Sequence, residues 1–331
     1  MMELSVLDYG VVVKGKTARD ALKDTVRLAQ RAEQLGYQRF WVAEHHNISA
    51  FSTSSPEVLM MHLADRTQHI RIGSGGVMAL HYSSYKIAEN FKTLEAIHPN
   101  RIDLGMGSFL GSHPVHRALN SIHTKSDYPE VLATIQRYLT VPIAPQLPVR
   151  VTPLVETMPQ MWTLSNSEQT AQWAGELGMG YTFGVFPYMQ KNPLIEAPKV
   201  SQTYFNHFRP TAHCPNPQLM VAAFIVIGDT DEVAEKMAQS LDLWMLGNQV
   251  FNEFEKYPDK QDVGNYQLTD LQRVTIKANR ERMIIGGPER VKEQLDTLIQ
   301  AAQANEVLVI PLVPTVDQRI RSLELLAQLY K

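Results

Sequence analysis

Short apolar runs alternate along the chain with longer stretches in which apolar residues recur every three or four positions. The first pattern fits strands, and the second fits helices packed by one face. Residues 4–7, 40–43, 70–73, 101–106, 161–164, 181–183, 219–227 and 307–311 read as strands. The seventh is apolar on both faces, as a strand buried in a parallel sheet must be. Helical patterns lie between them. In the first, Ala21, Leu22, Val26, Ala29, Ala32 and Leu35 keep helical spacing between a capping Thr17, answered by Asp20, and a terminating Gly36. Ser55-Pro56-Glu57 starts a second helix over 56–66. Further patterns cover 84–97, 168–177, 231–246, a start at Gly287-Pro288-Glu289, and 323–329.

About eight strand–helix units result, which fits an α/β chain closed as a (β/α)8 TIM barrel better than an open doubly wound sheet. The dinucleotide fingerprint is missing. Gly73-Ser74-Gly75-Gly76 lacks its spacing, and Gly105-Met106-Gly107 lacks its third glycine. A barrel of this type takes ~250 residues. The surplus of this 331-residue chain is expected in two polar, Pro- and Asn-containing insertions of the C-terminal half, 191–217 and 248–280, within a single domain over 1–331.

Composition narrows the function classes. Lys plus Arg number 31 against 34 Asp plus Glu, a net charge of −3, so the basic footprint of a nucleic-acid binder is missing. The single cysteine, Cys214, excludes an internal disulfide and any multi-cysteine metal site. It lies in a Pro-rich loop with no flanking base and does not read as a nucleophile. The start, Met1-Met2-Glu3-Leu4-Ser5, carries no basic segment followed by a long apolar core. The longest apolar run, 219–227, is far shorter than the ~20 residues of a membrane span. A soluble, cytoplasmic protein is expected, with no membrane partner.

Active sites of parallel barrels lie at the carboxyl ends of the strands, so the residues just past each strand carry the candidate chemistry. Strand two ends in Glu44-His45-His46-Asn47. A histidine there is placed for proton transfer near neutral pH, or is simply bonded to a neighbouring loop. Adjacent residues on a strand point to opposite sides, which argues against His45 and His46 chelating one metal ion. Ser74-Gly75-Gly76 after strand three lets a flat ligand lie on bare backbone, or is an ordinary glycine turn. His81-Tyr82 follow shortly after. Gly107-Ser108 ends strand four. Asn166, Ser167 and Thr170 open a helix, where free amides and hydroxyls make a phosphate seat, unless Ser167 is only an N-cap.

These residues together resemble the bacterial luciferase-like, flavin-dependent monooxygenase family. The resemblance rests on Phe40-Trp41-Val42-Ala43-Glu44-His45-His46-Asn47, Ile72-Gly73-Ser74-Gly75-Gly76-Val77-Met78, Ile87-Ala88-Glu89-Asn90, Pro99 through Gly107, and Ile285-Gly286-Gly287-Pro288-Glu289. It implies a (β/α)8 barrel that binds reduced FMN from a separate flavin reductase, reacts it with O2 and oxygenates a small substrate. It implies His45 as catalytic base beside Glu44. Gly75 and Gly76 match the pair that bears a non-proline cis peptide beneath the flavin, and Ser167 and Thr170 match residues that hold its phosphate. Ser74, Gly107, Ser108 and Asn166 complete the expected cofactor site. The family also contains deazaflavin-dependent oxidoreductases, and a non-catalytic flavin-binding homologue is a further alternative. Ser108 stands where an arginine often binds the phosphate, Phe109-Leu110-Gly111-Ser112 replaces a Pro-Gly-Thr turn, and Met78-Ala79-Leu80 replaces Met-Leu-Pro. Val58, Leu59, Met60, Met61 and Leu63 surround the 56–66 helix, and the family commonly dimerises there, so a homodimer is expected.

Overall fold

A computed structural model describes residues 2–119, 123–141, 149–187, 189, 191–247 and 254–330. The first half runs β1 (Glu3–Asp8), α1 (Ala18–Leu35), β2 (Arg39–Val42), α2 (Pro56–Ala64), β3 (Arg71–Met78), α3 (Ser84–Ile97), β4 (Ile102–Gly107), α4 (His113–Ala118) and α5 (Tyr128–Leu139). The second half runs β5 (Gln160–Ser165), α6 (Glu168–Glu176), β6 (Gly180–Val185), α7 (Pro193–His207), β7 (Leu219–Ile227), α8 (Asp231–Leu246), α9 (Lys260–Asn265) and α10 (Asp270–Arg280). It ends with β8 (Ile284–Gly286), α11 (Pro288–Ala302), β9 (Glu306–Ile310) and α12 (Val316–Leu329).

Eight of these strands pair in parallel, from β1 through β7 in sequence order and then β9, which returns to β1 and closes the ring. They are the eight strands read from the apolar runs. Strand β8 stands outside the ring and, among the described residues, pairs with the far end of β7, Ile225–Ile227. At three residues it is too short to leave a periodic signal.

The alternation along each strand splits the core in two. Val6, Phe40, Val42, Met161, Tyr181, Val221, Val307 and Val309 pack with the helices in one buried cluster. Their neighbours Leu7, Trp41, Trp162, Met220, Ala222, Phe224, Leu308 and Ile310 form a second cluster inside the ring. Trp41 and Trp162 meet edge to face at 5.8 Å between centroids. They fit because glycines stand opposite. A Cβ at Gly73 would collide with the Trp41 ring, and one at Gly180 with the Trp162 ring.

Polar side chains close the ring below the tryptophans. The Arg39 guanidinium donates to Glu306 at 3.0 Å, Asp103 at 2.9 Å and Gln160 at 2.7 Å, and lies 4.7 Å over the Trp162 ring. Asp103 also accepts from the Trp41 indole at 2.9 Å and from Arg71 at 2.7 Å, and Ser5 donates to Glu306. The lower barrel is therefore filled, and only its upper mouth is left for chemistry.

Two sequence expectations change here. The stretch 191–217, expected as an insertion, supplies α7, a helix of the ring packed against α6 and α11. Its Asn and Pro are start signals: the Asn192 side chain accepts from the Leu194 amide, and Pro193 sits at the first helical position. The last helix begins at Val316 rather than 323, behind a capping box of Thr315 and Gln318. The other expected insertion, 248–280, holds α9 and α10, which pack on α8; residues 248–253 lie outside the described ones. Among the described residues no helix is long and apolar enough to cross a membrane.

Removing Arg39 would leave the buried Glu306 without its counter-charge and Asp103 with Arg71 alone. Breaking a buried pair from one side costs about 3–5 kcal/mol. Arg39→Ala is expected to lower the denaturant midpoint accordingly, and Arg39→Lys to recover only part, because a point charge cannot span three acceptors. Equilibrium unfolding in guanidinium chloride checks this.

Candidate active site

The chain leaves β2 at Val42 and turns sharply at Asn47, whose backbone is left-handed (φ 58°). The segment between is fixed from both sides. The His45 amide donates to the Thr53 carbonyl at 2.8 Å, the Thr53 hydroxyl to the Tyr9 carbonyl at 3.1 Å, and Val11 bridges Phe51 in antiparallel fashion. The loops after β1 and β2 thus brace each other at the barrel mouth.

Within this frame the two histidines separate. The His45 ring packs 4.6 Å from Tyr9 and 5.2 Å from Phe51, and its Nδ1 is buried without a hydrogen-bond partner. Burial, with the neighbouring His46 second, pushes its pKa down to about 4, so the ring is neutral near pH 7. His46 turns the other way. Its Nε2 lies 2.7 Å from Glu44 Oε1, and the same oxygen accepts from the Tyr82 hydroxyl at 2.6 Å. Glu44 Oε2 accepts from the Met78 amide at 2.8 Å. Glu44 thus ties the end of β2 to the end of β3, and its histidine partner is His46, not His45. Burial, and then the Glu44 charge, push the Tyr82 hydroxyl well above its ordinary pKa. Tyr82 follows β3 by four residues; its only sequence signal is that position.

The expected cofactor residues divide into three groups. Gly75 and Gly76 interrupt the β3–β4 register, and the peptide between them is cis. A Cβ on Gly75 would meet the Leu7 side chain at 2.6 Å, and one on Gly76 the Gly105 carbonyl oxygen at 2.9 Å. Gly107 faces open space, and Ser108 beside it is half-buried. Ser74 departs from expectation: it is fully buried, and its hydroxyl donates to the Gly105 carbonyl at 2.9 Å. The sequence places it beside the two glycines, but the pleat turns it away from the mouth.

The third group is the start of α6. The Ser167 hydroxyl caps the Thr170 amide at 3.2 Å and donates to the Thr170 hydroxyl at 3.0 Å. Ser165 closes the set, donating to Ser167 Oγ at 3.2 Å, and Asn166 between them is half-buried. The N-cap reading of Ser167 is therefore correct. It leaves the first-turn amides of Glu168 and Gln169 outside the helical bonding pattern, as at any helix start.

A cavity of about 940 Å³ lies elsewhere, between α8, α9 and the start of α12, lined by Lys14, Lys236, Lys260 and Arg321 among others. None of the candidate residues lines it. Position at the strand ends and convergence of the polar groups identify the mouth, rather than cavity size, as the candidate site. The sequence reading did not single out the aromatic wall beside His45, where Phe51 packs 5.0 Å from Trp244 and Tyr9 lies 6.2 Å from Phe224. Those rings come from four separate segments, and no local pattern links them.

Comparison with known proteins agrees with this geometry. The family model of the luciferase-like monooxygenases matches residues 2–305. The N-acetyl-S-alkylcysteine monooxygenase of Bacillus subtilis (strain 168) is 32% identical over 339 residues, covering 99% of this chain and 98% of that protein. The solved structure of apo-MsnO8 is 30% identical, with a TM-score of 0.87 over 100% of this chain and 98% of that one. Two more distant structures share the fold: the oxygenating constituent of 3,6-diketocamphane monooxygenase from Pseudomonas putida in complex with FMN, and an F420-dependent secondary alcohol dehydrogenase. They are 17% and 15% identical, with TM-scores of 0.71 and 0.65; each match covers 99% of this chain and 98% of that one. The strand-end residues, the closed barrel and these matches lead to one assignment: the chain belongs to the luciferase-like monooxygenase family.

Proposed function

We propose that the chain is a monooxygenase that uses reduced FMN, supplied by a separate reductase, and O2 to oxygenate a small organic substrate. The observation that carries this reading is the Gly75–Gly76 bulge at the barrel mouth beside the Glu44-His45-His46 segment. A planar ring needs bare backbone to lie against, and glycine at both positions leaves only backbone there, while Leu7 and the Gly105 carbonyl close the Cβ directions on the protein side. The residues present therefore fit a flavin. Gly75, Gly76 and Gly107 would face its ring. Asn166, Ser167, Thr170 and the first-turn amides of α6 would hold its phosphate, with Ser108 adding a neutral hydroxyl. When bound, reduced flavin supplies the electrons that activate O2.

The chain's own part is binding, shielding and proton handling. The aromatic wall of Tyr9, Phe51 and Phe224 excludes water from one side. His45, neutral and packed between Tyr9 and Phe51, borders the mouth where the reacting groups would lie. The F420 found with the distant alcohol dehydrogenase is the competing cofactor.

Titration of the protein with FMN, reduced FMN and F420, followed by fluorescence, decides the cofactor. Assays with reduced FMN, O2 and N-acetyl-S-methylcysteine, a thioether of the class named for the Bacillus relative, test the reaction through gain of one oxygen atom. Binding of F420 alone would transfer the assignment to the deazaflavin oxidoreductases. No binding of any of the three would leave a non-catalytic homologue.

Three outcomes are expected. First, FMN binds weakly and is lost on purification, because a helix start contributes about 0.3–1 kcal/mol toward an exposed anion, whereas an arginine contact is charge-assisted and often bidentate. Ser108→Arg is expected to tighten FMN; a yellow, stoichiometric wild-type protein would contradict this. Second, His45→Ala slows turnover by roughly 10²–10⁴-fold, the usual contribution of a general acid or base, with FMN affinity little changed. Steady-state kinetics beside flavin titration checks it. Third, the chain forms a homodimer through α2. Val58 on that helix is 75% exposed and Met61 is only partly covered. Sedimentation at micromolar concentration is expected to show two copies, and Val58→Glu to shift them to monomers.

A further inference from the structure

Tyr181 of β6 reaches the start of α6 from the buried side, and its geometry deepens the flavin proposal, on which this inference rests. We infer that Tyr181 is the positioning residue of the phosphate seat: its hydroxyl holds the 165–167 turn so that the free amides of the turn are preset for an anion.

The argument starts from the peptide unit. Tyr181 is fully buried, and its hydroxyl donates to the Ser165 carbonyl at 2.9 Å and, less closely, to the Ser167 carbonyl at 3.4 Å. Burial pushes its pKa far above the ordinary tyrosine range, so the proton stays available for these bonds. In a trans peptide the carbonyl and the following N–H point in opposite directions. The peptide between Ser165 and Asn166 is trans. Holding the Ser165 carbonyl on Tyr181 therefore aims the Asn166 N–H away from that ring. Among the described residues this N–H has no hydrogen-bond partner. The turn is tied further from within. The Ser167 amide donates to Ser165 Oγ at 3.0 Å, and the Thr170 amide donates to Ser167 Oγ at 3.2 Å. The amides of Glu168 and Gln169 stay free at the first turn of α6. Ser108 stands where a cation could have helped, so the seat consists of neutral donors. Such donors favour a phosphate to the extent that they are already in place, because each unfixed one must lose freedom on binding.

The neighbouring rings do not duplicate this bond. Tyr128 of α5 is equally buried, but its hydroxyl donates to the Met106 carbonyl at 3.0 Å. Tyr204 of α7 stacks on Tyr181 with 5.8 Å between centroids, and its hydroxyl donates to the Met179 carbonyl at 2.9 Å and accepts from the Gln218 amide at 3.0 Å. Removing the Tyr181 hydroxyl thus takes the side-chain donor from the Ser165 carbonyl and frees the peptide to rotate. Tyr204 has the same burial and chemistry without a bond to the 165–167 turn, which makes it the control. A purely structural tyrosine affects every ligand alike when it is changed. A tyrosine that positions the phosphate seat affects only ligands that carry a phosphate.

The test titrates the wild type, Tyr181→Phe and Tyr204→Phe with FMN and with riboflavin, which is FMN without its phosphate, and follows flavin fluorescence. Tyr181→Phe is expected to weaken FMN by roughly fivefold, the scale of one hydrogen bond, and to leave riboflavin within about twofold. Tyr204→Phe is expected to lower the denaturant midpoint and keep the ratio of the two affinities. Amide hydrogen exchange, read by mass spectrometry on peptides covering 165–170, reports on the turn without any flavin. Exchange at the Ser167 and Thr170 amides is expected to be faster in Tyr181→Phe and unchanged in Tyr204→Phe. If Tyr181→Phe weakens both flavins equally or neither, or if its exchange over 165–170 matches the wild type, the inference is overturned, while wild-type FMN binding leaves the cofactor reading in place. A wild type that binds neither flavin rejects the cofactor reading itself, and the phosphate role of Tyr181 falls with it.

Discussion

A closed ring of eight strands has an interior that must be filled, and here Arg39 does most to set how. Its guanidinium gathers Glu306, Asp103 and Gln160 from three other strands and lies under Trp162. Such a charge is tolerable in a dry interior because its Nε and Nη1 meet acceptors from three strands and its face meets the Trp162 ring. Above it, two tryptophans occupy space that glycines on the facing strands leave free. With the lower barrel occupied in this way, a ligand can enter only at the carboxyl ends of the strands. The position of the site follows from the packing beneath it.

Glu44 plays the corresponding part at the mouth. It is the first residue past Ala43, still buried, and its two oxygens collect a backbone amide from β3, the Tyr82 hydroxyl and the His46 ring. A buried carboxylate with three donors is satisfied and rigid. It joins two strand ends that the barrel sheet no longer pairs, so that the glycine bulge and the histidine segment hold a fixed relation. A flavin ring and a proton-carrying group need such a relation to work together.

Much of this was legible in the chain. The eight ring strands stand where the apolar runs place them, because a parallel strand buried on both faces must be apolar throughout. The helix starts at Thr17, Pro193 and Thr315 are local events, written in a cap and its first turn. Two of the three differ from the sequence expectation: the polar and proline content of 191–217 suggests an insertion where α7 stands, and the short apolar pattern at 323–329 misses the earlier capping box of Thr315 and Gln318. The strand at 284–286 left no signal, since three residues do not establish a period. For the site, position past a strand end was enough to select Glu44, the histidines, the glycine pair and the Ser167 helix start.

What the sequence by itself determined, then, was the set of elements and the candidates at their ends, because caps, periods and glycine positions depend on a few neighbouring residues. Only the tertiary structure decided which candidates work together. The sequence placed Glu44 beside His45, and the fold gave it to His46 and Tyr82. The sequence set Ser74 beside Gly75 and Gly76, and the pleat buried its hydroxyl against Gly105. Tyr9, Phe51, Phe224 and Trp244 became one wall only when four distant segments met. The physical reason is common to all three. A side chain's partner is set by where the backbone aims it and by what the closed ring brings opposite, and that is a property of the whole chain.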